Sequence, residues 1–141
     1  MSLLRKAVVL GLAVVSTTGL SVLGTGTANA APNAYGAFSL SQSTGTVAYA
    51  LNYANYPDAI HAADAKCGHP DCRNIIQIVN ACGAVAQGAD GRFAWNWAHS
   101  KVEAEQSAVK ALGLSAPPFP DLGSAMPRAA HVVLSACTAN V

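Results

Sequence analysis

The chain says nearly the same thing twice, and the two copies differ in a way that constrains its cysteines. Cys72-Arg73-Asn74-Ile75-Ile76-Gln77-Ile78-Val79-Asn80-Ala81-Cys82 aligns with Pro127-Arg128-Ala129-Ala130-His131-Val132-Val133-Leu134-Ser135-Ala136-Cys137. Both are basic-led apolar runs that close on Ala-Cys. Upstream, Ala65-Lys66-Cys67-Gly68 aligns with Lys110-Ala111-Leu112-Gly113, so Cys67 is replaced by Leu112 where Cys72 is replaced by Pro127. Two cysteines are lost together. A bond from Cys67 to Cys72 inside copy one explains that loss, and it leaves Cys82 and Cys137 to bond each other across the duplication.

The compartment suits disulfides. Arg5 and Lys6 precede an apolar run from Ala7 to Val15, and small residues lead to Ala28-Asn29-Ala30. That is the pattern of a secretory signal peptide, residues 1–30, cleaved after Ala30 and not a membrane span. The first cysteine, Cys67, lies far beyond the cleavage site, so no lipid anchor is expected. Residues 31–141 are enough for one domain with its own core. Four cysteines in a small exported chain read as two disulfides. On the chain-entropy account the Cys82–Cys137 loop contributes about 4 kcal/mol and the Cys67–Cys72 loop about 2. Of eight basic residues two belong to the signal peptide, leaving six against seven acidic ones. None is clustered, so the phosphate-neutralising patch that nucleic acid requires is not expected.

Each copy reads as strand, strand, helix, strand. In copy one, Tyr35–Leu40 and Thr46–Tyr53 are strands around a turn at Ser41–Gly45. Asn55, Pro57 and Asp58 then start a helix that Gly68 stops. Arg73–Val79 is too rich in β-branched residues for a good helix and closes the unit as a strand. In copy two, Gly83–Gln87 and Arg92–Ala98 flank an Asp90-Gly91 turn, and Ser100 with Glu103 starts a helix that runs to about Leu112. The expectation is an α+β fold of six strands and two helices in two tandem ββαβ units, spanning about 35–82 and 83–137, related by a pseudo-twofold axis near which Cys82 and Cys137 meet. Both helices are alanine-rich on the inner face. Phe93, Trp95 and Trp97 share one strand face, as do Tyr49, Leu51 and Tyr53, and these large side chains are expected to pack under the small-faced helices. Trp97, nearest its strand end, is the one expected to reach the surface.

The copies diverge in one connection: four residues separate Gly68 from Arg73, and fourteen separate Gly113 from Arg128. The expansion holds Pro117-Pro118-Phe119-Pro120 and Met126, is not expected to be regular structure, and supplies Pro118, Phe119 and Met126 as candidate partner contacts.

Catalytic chemistry finds little support. No Gly-x-Ser-x-Gly elbow occurs, His99 and Ser100 are mere neighbours, and Glu103 and Glu105 complement a helix dipole. His61, Cys67, His69, Asp71 and Cys72 offer donors, but export favours oxidation of the thiols over a zinc site, leaving His69 and Asp71 as turn residues. No metal, cofactor or catalytic residue is assigned.

Tyr35-Gly36-Ala37, Cys72-Arg73, Asn80-Ala81-Cys82-Gly83-Ala84, Trp95-x-Trp97 and Ser100-x-x-Glu103-Ala104-Glu105 resemble the family of small secreted, mainly actinobacterial proteins called domain of unknown function 4189. The resemblance spans essentially the whole mature chain. It implies an exported, disulfide-bonded α+β domain, with relatives often keeping a cysteine pair in copy two where this chain has Leu112 and Pro127. The functional expectation is a non-enzymatic protein-interaction domain of the cell envelope or surrounding medium, with an unknown protein partner. The rival is an enzyme or a binder of carbohydrate or other small ligands built around Trp95 and Trp97.

Overall fold

The structure, a computed structural model, describes residues 32–117 and 126–141. The expected signal peptide, residues 1–30, and two of the candidate contacts, Pro118 and Phe119, lie outside them. The first unit comprises β1 (Tyr35–Leu40), β2 (Val47–Tyr53), α1 (Tyr56–Cys67) and β3 (Arg73–Val79). The second comprises β4 (Cys82–Gln87), β5 (Phe93–Ala98), α2 (Lys101–Leu112), a short ladder of β6 (Leu114–Ser115) with β7 (Arg128–Ala129), and β8 (His131–Cys137). The fold is thus α+β with two ββαβ units. The described residues form eight strands where six were expected, because the ends of the expanded connection pair: Leu114 faces Ala129 and Ser115 faces Arg128. Ser115 is buried and its Oγ accepts from the Ala89 N–H, which ties that ladder to the β4–β5 turn.

Local signals set the helix ends. Asn55 Oδ1 accepts from the Asp58 N–H, Pro57 occupies the first turn, and Gly68 takes a left-handed φ of 73° at the C-cap. Ser100 Oγ likewise accepts from the Glu103 N–H. Each helix runs twelve residues.

Each unit forms a three-stranded antiparallel sheet, in the orders β2-β1-β3 and β5-β4-β8. The sheets stack, with β3 near β5 and β2 near β8. Exchanging the units swaps those two neighbourings, as a pseudo-twofold axis between β1 and β4 requires. The layers are therefore helix, sheet, sheet, helix. Between the sheets lie Phe38, Ile76, Ile78 and Val85, with Val47, Leu51, Phe93 and Leu134 around them. Beneath α1 lie Ala37, Ala50, Ala59 and Ala63, and beneath α2 lie Ala84, Ala86, Ala98, Ala104 and Ala108.

This layering corrects the expected position of the Phe93, Trp95 and Trp97 face and of Leu51, while Tyr53 packs against the α1 layer as expected. The register sets Val85 opposite Trp95 and Gly83 opposite Trp97, so both tryptophans share the face that meets the other sheet, not the helix. The reason is steric. Alanine on the helix meets alanine on the sheet and the two backbones approach closely, so most large side chains of the strands gather between the sheets, with Tyr53 and Ile60 at the α1 layer and Val109 and Leu112 at the α2 layer. A carboxylate pins each helix further: the Ser39 hydroxyl donates to Asp64 of α1, and the Ser135 hydroxyl to Glu105 of α2.

Cys67 is bonded to Cys72, and Cys82 to Cys137. The second bond is placed differently from the expectation. Cys82 opens β4 and Cys137 ends β8, facing each other across one antiparallel pair within a single sheet and on its α2 side, away from the pseudo-twofold axis. The corresponding pair in the first sheet is Tyr35 and Val79. Asn80, left-handed at φ 48°, joins the units. Its Oδ1 accepts from the Ala34 N–H and from Asn140 Nδ2, so the inter-unit link also holds both ends of the described chain.

Candidate functional site

Strand β5 is an edge strand, and its sequence decides what that edge presents. Ala94, Asn96 and Ala98 alternate with Phe93, Trp95 and Trp97, and Ala98 is buried against α2. The opposite face looks toward the first sheet, which covers it only in part. Phe93 joins the core between the sheets. Trp95 emerges at the rim 38% exposed, and Trp97 at 54%. The edge is closed to another strand at this point, because the Trp97 N–H donates to its neighbour Asn96 Oδ1 at 2.8 Å.

At the rim, a cleft of about 290 Å³ opens between the ends of β3 and β5 and the start of α1. Its walls include Trp97 and His99 from the second unit and Tyr56, Gln77, Ile78 and Val79 from the first. The Tyr56 ring stands edge-on to Tyr35 at 4.7 Å between centroids. The His99 ring stands at 88° to Trp97, 6.0 Å away. Gln77 Nε2 donates to Asn74 Oδ1, which fixes the amide and leaves its carbonyl oxygen to the cleft. The cleft is shallow and carries one flat, accessible indole beside a few polar side chains.

The other sequence candidates sit elsewhere. Met126 is exposed at the foot of β7, at the end of the second sheet opposite Trp97. A wider depression of about 510 Å³ lies at that end, between the β4–β5 turn and Arg128, Ala129 and His131. Ser100 is spent as an N-cap and Glu105 on Ser135, so neither forms a catalytic pair with His99. Around the Cys67–Cys72 turn, Asp71 accepts from the Ser43 backbone N–H and the Ser41 hydroxyl. Those bonds, the backbone one first, hold its carboxyl down at about 2 from an ordinary 3.8. His69 Nε2 meets Thr46 Oγ1 at 3.2 Å. Both side chains thus clasp the disulfide turn to the β1–β2 turn. Among the described residues no three metal-ligating side chains gather, and no helix is long and apolar enough to cross a membrane.

Sequence reasoning named Trp97 but missed Tyr56, Gln77 and His99 as its companions. Only the pairing of β3 with β5 across the two sheets brings them together, and no local pattern encodes it.

What the residues define is a disulfide-bonded, four-layered sandwich with an aromatic rim. The family described as domain of unknown function (DUF4189) matches residues 35–137, and the chain belongs to it. Among solved structures it is similar to the NMR structure of Rv1813c from Mycobacterium tuberculosis, at 21% identity and a TM-score of 0.53, over 95% of this chain and 99% of that one. That likeness shows the fold. No curated protein matches the chain.

Proposed function

We infer that this chain is an exported, non-enzymatic recognition domain of the cell envelope or the surrounding medium, and that it meets its partner at the aromatic rim between β3 and β5. The observation that carries the reading is Trp97, more than half exposed on a strand whose other face is locked under α2. A large aromatic side chain held at the surface by a rigid scaffold offers contact area at small entropic cost. The filled layer between the sheets and the shallow rim suit surface recognition better than an enclosed reaction chamber. Export rests on the signal-peptide pattern and on two disulfides, which persist in oxidising compartments.

Two measurements test this. N-terminal sequencing of protein recovered from the culture medium should begin at Ala31; retention of Met1 inside the cell refutes export. Nuclear magnetic resonance titration of the mature protein with fractionated envelope material should perturb Trp97 and His99. Perturbation confined to Leu114–Met126 instead moves the contact to the expanded connection.

A further inference from the structure

We propose that the cleft around Trp97, His99, Gln77 and Tyr56 is a subsite for one uncharged sugar ring of an extracellular glycan. This rests on the recognition reading above and names the ligand class of the same rim. The internal duplication supplies the first argument, because it acts as a control within one molecule. Phe38 faces Tyr49 in the first sheet and Val85 faces Trp95 in the second, so Tyr49 corresponds to Trp95 and, two residues on, Leu51 to Trp97. Leu51 packs into the core between the sheets, whereas Trp97 stands outside it. Tyr49 and Trp95 are equally exposed, at 38%, so the halves differ at the next position on that face, Leu51 against Trp97. Unit two therefore has the same architecture with a larger, more exposed side chain at the rim. Packing does not call for that exchange, since leucine serves the fold at the equivalent place.

The lining decides the ligand chemistry. No Asp, Glu, Lys or Arg borders the cleft, so no carboxylate, ammonium or guanidinium there compensates a charged ligand. The polar groups that line it are the Gln77 amide, the Tyr56 hydroxyl and the His99 ring. A pyranose fits that set, with its C–H face on the indole and its rim of hydroxyls hydrogen-bonded alongside. Nucleobases gain most between parallel planes, and here the second ring stands at 88° to the first. The volume, about 290 Å³, lies at the low end of small-molecule sites and admits one ring.

The test uses the oxidised mature protein, titrated with chitohexaose, cellohexaose and maltohexaose while the Trp97 indole resonance is followed, with adenosine and phosphocholine as controls. At least one neutral oligosaccharide should shift that resonance saturably in the millimolar range. Trp97→Ala should weaken it about tenfold or more and Trp97→Tyr less, with both variants keeping the wild-type melting temperature. A response to adenosine or phosphocholine alone, silence toward all three oligosaccharides, or equal binding by Trp97→Ala overturns the sugar assignment. If envelope material still perturbs Trp97 while the sugars are silent, the recognition reading stands and only the ligand class falls.

Discussion

The two ββαβ halves share strand order, helix length and the register of the central strand with the last one, yet they close those central strand pairs differently. In the first sheet Tyr35 faces Val79; in the second, at the same register, Cys82 faces Cys137. The helix-to-strand connections show the reverse. Unit one ties its short connection with Cys67–Cys72 and the Asp71 clasp, while unit two runs through fourteen residues held at the base by β6 and β7. Each half thus carries one covalent staple at a different place. One topology tolerates either arrangement because the alanine-lined helix interface and the sheet stacking are common to both. Cross-linking stabilises where it closes the longest loop, and by that measure the halves are unequal.

Removing the staples one at a time should break the symmetry most. Replacing Cys82 and Cys137 by alanine should cost about 4 kcal/mol, and replacing Cys67 and Cys72 about 2, read as shifts in urea unfolding free energy. Equal losses would mean that the Asp71 clasp and the short turn matter as much as loop length. A smaller effect separates the two glycines at matching register. An added Cβ at Gly83 would lie 2.6 Å from the Phe38 ring, which is buried and cannot yield, whereas at Gly36 it would meet the end of the Leu51 side chain at 2.5 Å. Gly83→Ala should therefore cost about 1–3 kcal/mol, and Gly36→Ala less, because its nearest contact is the end of the partly buried Leu51 side chain and the next, Ile78, stands at 3.0 Å. A larger loss at Gly36 would contradict the reading that the first unit's Phe38 seats on the second unit's backbone.

The comparison also shows what a sequence exposes and what it conceals. Asn55, Gly68, Ser100 and Gly113 act within one turn of their own backbone, so the helix ends are legible, and the paired replacement of Cys67 and Cys72 points to their bond. The alternation of Phe93, Trp95 and Trp97 shows that they share a face. It does not show which layer that face meets, because the answer depends on Phe38, Ile76 and Ile78 arriving from the other sheet. The location of the Cys82–Cys137 bond was hidden for a related reason. Aligning the copies on Ala-Cys equates Cys82 with Cys137, whereas the strand register equates Cys137 with Val79, three residues earlier. Repeating apolar residues accept either offset, and only hydrogen bonding between strands chooses. The rim site was half legible: Trp97 was visible, its neighbours from α1 and β3 were not.

Acid should act on the first half through Asp71. Asp71 is held down at about 2 in the folded chain against an ordinary 3.8, so its contribution is complete above about pH 4 and is lost as pH falls toward 2. Its donors, Ser41 and Ser43, belong to the β1–β2 turn, and the short connection that carries Asp71 is the segment that unit two replaces with its expansion. Unfolding midpoints followed from pH 5 to pH 2 should fall less steeply for Asp71→Asn than for wild type. Identical slopes would show that the clasp does not hold the folded state together.

The smallest expected change is the most informative about the rim. Trp97→Leu gives the second half the residue that the first half already uses, at a position 54% exposed and outside the core between the sheets. If Trp97 has no packing role, unfolding free energy should move by no more than about 0.5 kcal/mol, the usual span for surface substitutions. The reciprocal change, Leu51→Trp, forces an indole against Val47, Phe38 and Ile78 in a filled layer and should cost about 1–3 kcal/mol. That asymmetry is what a functional tryptophan on a symmetric scaffold predicts. A loss above 1 kcal/mol for Trp97→Leu would instead make the side chain part of the seam between β3 and β5, holding the two sheets together, and would remove the reason to look for its partner outside the molecule.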